Sequence, residues 1–114
     1  MWNWFFKLAS PPHFYALAGK LSYWLLVPAI LLLAIGTWGG LILAPPDYQQ
    51  GDAFRIIYVH VPSAYLSMLI YVTMAVAGAI GLIWRIKLAH AVAASCAPIG
   101  ASFTFAALVT GAVW

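Results

Sequence analysis

The chain alternates between long uncharged apolar stretches and short polar gaps. No Asp, Glu, Lys or Arg occurs within 21–46, 56–84 or 88–114. The charged residues Lys7, Lys20, Asp47, Asp52, Arg55, Arg85 and Lys87 all fall in the gaps. Each run exceeds the roughly 20 residues that a helix needs to cross about 30 Å of hydrocarbon. The pattern predicts three transmembrane helices, near 21–44, 62–84 and 90–113. At 1.5 Å per residue, the first of these is about 36 Å long. The runs lack the apolar/polar alternation of barrel strands, the other way to satisfy backbone groups in lipid. The expected fold class is an all-α integral membrane protein with one membrane domain over 1–114. An interfacial segment over 1–20 precedes it, and loops over 45–61 and 85–89 join the helices.

The punctuation refines this picture. Trp2, Trp4, Phe5, Phe6 and Lys7 have the aromatic and basic character of a segment lying at the membrane surface. Pro11-Pro12 ends that segment, and Pro45-Pro46 stops the first span. Pro28 removes one ladder donor inside it. Gly36 and Gly40 have the G-x-x-x-G spacing that lets a second helix approach closely. Pro62 suits the first turn of a helix and disfavours helical geometry at Val61. That places His60 just before the second helix. The N–H groups of 62–65 would then point outward, a favourable place for an anion. Ser67, Tyr71, Met74, Gly78 and Gly81 share one face of the second span, and Ala93, Ala97 and Ala101 share one face of the third. Both are packing faces.

Composition agrees with a membrane protein. Hydrophobic residues make up 66% of the 114 and charged residues 6%, with mean hydropathy +0.99. A soluble domain carries about 25% charged residues. The net charge of +3 does not point to nucleic acid. Lys7, Lys20, Arg85 and Lys87 flank one side of the spans and Arg55 the other, so the positive-inside rule puts the N-terminus and loop 85–89 in the cytoplasm. Loop 45–61 is then outside, periplasmic in a Gram-negative cell. Cys96 is the single cysteine, and there is no C-x-x-C-H for covalent haem attachment. A cleavable signal peptide is not expected, because the first apolar run is too long and starts after residue 20.

Few residues can carry chemistry. No carboxylate lies within a span, which argues against a proton-coupled carrier. No nucleophile–base set or phosphate-binding glycine loop is present, so no enzyme is expected. His60 is either an interfacial polar residue or a ligand for a metal or haem iron. Arg55 is either a solvated charge or a partner for a carboxylate. His13 and His90 read as interfacial residues, and Met74 as packing.

The run Gly51-Asp-Ala-Phe-Arg-Ile-Ile-Tyr-Val-His-Val-Pro62, within Tyr48–Tyr65, closely resembles the first outer loop of the cytochrome c maturation protein C family (CcmC, haem exporter protein C). The aromatic N-terminus, Pro45-Pro46 and Trp84-Arg85 resemble it too. The resemblance covers nearly the whole chain. It implies the first half of a six-helix bundle in the bacterial inner membrane, which binds non-covalent haem b at its outer face. His60 falls on the family's first axial ligand, with Arg55, Ser63, Tyr58 and Tyr65 as the surrounding pocket. A second axial histidine, a tryptophan-rich outer loop and three more helices are expected beyond Trp114. The implied role is haem delivery to the chaperone CcmE, with the ABC-type subunits CcmA and CcmB and the small membrane protein CcmD. The alternative is a structural subunit that packs on partner helices and binds no ligand.

Overall fold

The chain begins helical almost at once. The computed structural model describes residues 2–114. Helix α1 (Trp2–Leu8) is followed by α2 (Pro11–Trp38), which runs on as a π-helical turn over Gly39–Leu43. A short loop leads to a 3-10 turn (Asp52–Ile56), then α3 (Ile57–Trp84) and α4 (Lys87–Val113). Three stretches are long and apolar enough to cross a membrane: Pro11–Leu43, Asp52–Trp84 and Lys87–Val113. The expected all-α membrane architecture is therefore the observed one.

The helices start earlier than hydropathy alone indicates. Helix α2 starts at Pro11, not near residue 21, because its two prolines occupy first-turn positions whose N–H groups have no helical partner. His13 and Lys20 ride on its exposed surface. Helix α4 likewise starts at Lys87 rather than 90. Helix α3 is the consequential case. It starts at Ile57, and Pro62 lies inside it. The chain enters α3 already helical from the 3-10 turn. At position 62 the proline then removes a single bond, to the Tyr58 carbonyl, without stopping the helix. His60 therefore sits in the first turn of α3, and the N–H groups near Ser63 belong to the helical ladder.

Helices α3 and α4 form an antiparallel hairpin closed by a tight turn in which Arg85 adopts φ 54°. Residues equidistant from that turn face one another. A Cβ added at Gly81 would lie 2.8 Å from the His90 ring, and one at Gly111 would lie 3.0 Å from His60 Cε1. Between these, the Ser67 and Thr104 hydroxyls bond at 2.6 Å. Glycine at the crossing points lets rings fill the space where side chains would otherwise collide.

Helix α2 stands away from this pair. It meets α3 near the loop end, where Gly40 is buried and a Cβ there would fall 2.7 Å from Tyr58 Cβ. No other residue of α2 or its π turn is buried. The radius of gyration is 18.3 Å, against about 13 Å for a compact chain of this length. Large apolar side chains such as Leu32 and Leu33 are about seven-tenths exposed, at 70% and 69%. Lipid or other helices must cover them, since such a surface is not stable in water.

The connecting loop is built tightly. Asp47 and Gly51 exchange two backbone hydrogen bonds, at 3.2 and 2.8 Å. Asp47 Oδ2 accepts from the N–H groups of Gln49 and Gln50, both at 3.0 Å. This is an Asx-type turn, and Gly51 closes it at φ 61°, which favours glycine.

Candidate functional site

Four segments converge at the loop end of the molecule: the π turn, the loop, the first turn of α3 and the last turn of α4. His60 is half-buried at the centre of this cluster. Its Nδ1 lies 2.9 Å from Thr110 Oγ1. Its ring packs edge-on against the Trp114 indole at a centroid distance of 5.9 Å. Nε2 has no hydrogen-bond partner among the described residues. Trp114 Nε1 in turn donates to Gln50 Oε1 at 2.9 Å, so the loop, α3 and α4 are linked through this one aromatic pair.

Arg55 faces the other way. Its Nη1 donates to the Leu41 carbonyl and its Nη2 to the Ala44 carbonyl, each at 3.0 Å. These oxygens lie at the C-terminal end of the first span, where carbonyls have no helical partner. Asp52 approaches Nη1 at 3.5 Å. The guanidinium thus caps the first span from the segment that begins the second. Its Nε–H is enclosed and has no partner among the described residues.

The remaining expected residues are dispersed. Tyr58 packs over Gly40 and makes an edge contact with Phe54 at 6.2 Å. Tyr65 is exposed, on the surface of α3. Ser63 is buried, 7% exposed, in the second turn of α3. The free N–H groups expected beside it are absent for the reason given by the helix start. His13 lies 3.5 Å from the Ser10 hydroxyl, and His90 packs on Gly81. Met74 lines a crevice between α3 and α4 of about 130 Å³ with Ser67, Tyr71, Ala97 and Thr104. That is the packing role the sequence predicts. No group of three or more His, Cys, Asp or Glu suited to a metal ion occurs among the described residues.

Sequence reasoning missed Thr110 and Trp114 as neighbours of His60, and Gln50 as the partner of Trp114. The signal was available for Thr110. A hairpin closing at 85–86 brings residue 60 opposite 110 and 111, so any polar residue there is a candidate partner.

The Arg55 contacts carry a prediction. Arg55→Ala removes two charge-assisted bonds and leaves two carbonyls uncapped, a cost of about 2–4 kcal/mol to the loop. Hydrogen exchange at residues 47–51 should accelerate at least tenfold. Arg55→Lys, which can reach only one carbonyl well, should fall between. Unchanged exchange in Arg55→Ala would show that the cap does not hold the loop.

The chain can be set beside known proteins. The family model described as CcmC, Heme exporter protein C, matches residues 4–114. Heme exporter protein C of Escherichia coli strain K12 is 50% identical over 114 residues, which is 100% of this chain and 46% of that protein. The Haemophilus influenzae protein of the same name is 49% identical over 114 residues, again 100% and 46%. The Bradyrhizobium diazoefficiens protein of that name is 47% identical over 107 residues, 94% of this chain and 40% of that protein. The chain spans about half the length of the curated relatives it matches.

Proposed function

The chain belongs to the Heme exporter protein C family, and from that premise we propose that it is a haem-handling subunit of cytochrome c biogenesis. It presents haem at the outer face of the bacterial inner membrane. The observation that carries this reading is the state of His60. One ring nitrogen is held by Thr110 while Nε2 has no partner. An imidazole held at one nitrogen can offer the other to iron. Haem is cargo in this reading, and the protein binds and releases it without making or breaking its covalent bonds.

The residues present fit the loading of haem from the loop end. His60 supplies one axial ligand. Trp114, edge-on to the imidazole, adds an apolar wall beside it. The partly exposed Arg55 guanidinium places a positive charge at the loop end, favourable for a carboxylate such as a haem propionate. Its terminal nitrogens keep the loop in place meanwhile. Tyr58 and Tyr65 lie on either side of His60 along α3, and Ser63 acts as packing. A second axial ligand comes from outside these residues. Transfer to the chaperone CcmE is then ligand exchange at iron, assisted by CcmA, CcmB and CcmD.

The distribution of basic residues supports the sidedness: Lys7, Lys20, Arg85 and Lys87 on one side, Arg55 on the other. One experiment tests delivery and sidedness together. Cysteine is placed at Tyr48, which is 91% exposed, or at Lys87, in a Cys96→Ala background. An impermeant thiol reagent, applied to cells with a permeable outer membrane, should label position 48 and spare 87. Haem-loaded membranes from the same cells should pass haem to purified chaperone. The reverse labelling pattern, or haem that stays with the membranes, would sink the reading.

A further inference from the structure

His60 is not the end of its own hydrogen-bond chain. Thr110 Oγ1 lies 2.7 Å from the Ala106 carbonyl and 3.2 Å from the Ala107 carbonyl. A threonine hydroxyl has one proton, and a carbonyl oxygen can only accept. The Thr110 proton is therefore committed to its own helix, and what Thr110 turns towards His60 is a lone pair. At 2.9 Å, two lone pairs would repel, so the His60 side of the contact must supply the proton. The Ser67–Thr104 pair repeats the arrangement two turns along. Thr104 Oγ1 donates to the Gly100 carbonyl at 2.8 Å and sits 2.6 Å from Ser67 Oγ. On both rungs an α4 threonine is satisfied within its helix and accepts from α3.

We propose that Thr110 is a positioning residue that fixes His60 as its Nδ1–H tautomer and so leaves the Nε2 lone pair for an electron-pair acceptor such as haem iron. The last clause rests on the haem-handling reading above; the tautomer does not. Three features hold the ring as well as its proton. Gly111 admits Cε1 to within 3.0 Å of where a Cβ would stand. Trp114 closes one side of the ring. The helical hairpin sets the register between them. A histidine without a fixed acceptor at Nδ1 divides between tautomers, and the Nε2–H form withholds the less hindered nitrogen from a metal. The threonine removes that alternative before cargo arrives. The neighbour that tunes a ligating imidazole is often a carboxylate. Here it is a neutral hydroxyl, which costs less to enclose at a membrane surface than an ion does.

The test reads the tautomer directly and needs no haem. The full protein, labelled with nitrogen-15 histidine, is studied by NMR in lipid nanodiscs at mildly alkaline pH. The His60 signals are assigned by their loss in His60→Gln. Wild type and Thr110→Ser should show Nδ1 protonated and Nε2 unprotonated. Thr110→Val keeps the shape and removes the acceptor, so His60 should shift to a mixture dominated by Nε2–H. His13 and His90 should not change. An Nε2–H tautomer in wild type overturns the proposal, as does an unchanged tautomer in Thr110→Val. Should Thr110→Val fail to fold, Thr110→Ser still decides: a tautomer other than Nδ1–H in that variant also overturns it. The haem-handling reading fails by a different result, full haem binding by His60→Ala, which would leave the NMR outcome intact.

Discussion

His60→Ala is expected to abolish haem binding at the loop end of the protein and, with it, haem loading of the chaperone. The imidazole there is held at Nδ1 by Thr110 and has no partner at Nε2 among the described residues. Alanine leaves Thr110 and Trp114 around an empty space but supplies no ligand. His13→Ala and His90→Ala should have no such effect. His13 lies near the start of α2 beside Ser10, and His90 lies at the turn end of α4, against Gly81. The measurement is the absorption spectrum of the purified full protein after haem addition, with chaperone loading assayed in parallel. A six-coordinate spectrum is expected for wild type and its loss for His60→Ala. An unshifted spectrum in His60→Ala would leave the chain with a structural role only.

Gly40→Leu should be the most damaging substitution for the assembly of the three spans. A Cβ at Gly40 would meet Tyr58 Cβ at 2.7 Å and Cγ at 2.8 Å. Those atoms lie at the root of the tyrosine side chain and cannot swing aside, so the backbones must part. Overpacking of this kind costs typically 1–3 kcal/mol, here where the π turn after α2 meets α3. Gly40→Ala should show a smaller loss of the same sign. Gly36→Leu is the control. Nothing lies within 4 Å of a Cβ at Gly36, so it should be near neutral within this chain. Thermal unfolding in nanodiscs, with a cysteine crosslink between α2 and α3 as reporter, measures both. Equal behaviour of Gly40→Leu and Gly36→Leu would mean that the crossing is not tight.

The two glycines show what a sequence can and cannot give. Their spacing marks a face where helices can approach, and one of them does lie at a close crossing. Which one depends on the path of a different segment, the loop that returns Tyr58 to the first span. Hydropathy located all three spans because burial in lipid is a property of whole stretches. It did not locate their ends. A helix stops where its hydrogen bonds find other partners, not where its apolar character fades. Pro62 illustrates the point: local preference put a helix start there, and the incoming 3-10 turn overrode it. Arg55 stood out as a charge, but its acceptors are backbone oxygens, which leave no mark in side-chain patterns. Thr110 was legible only through the hairpin register, not through its residue type. A threonine in a membrane helix usually spends its hydroxyl on its own backbone, and this one does, while still accepting from His60. Gln50 and Trp114 pair across 64 positions, a distance no periodicity spans.

The sparse attachment of α2 to the hairpin gives the first span leverage. Its 28 residues amount to a rod about 42 Å long, joined to α3 through the close contact at Gly40 just beyond its end. Rotating that rod by about 10° about its fastened end would carry the far end through about 7 Å. The crevice of about 550 Å³ there, between Phe14 and Tyr15 of α2 and Leu88, Val92 and Cys96 of α4, would widen or narrow accordingly. Bilayer thickness and neighbouring helices, acting on the distant end, would then bias the splay of the span. The histidine end is pinned by Arg55 and the glycine contact.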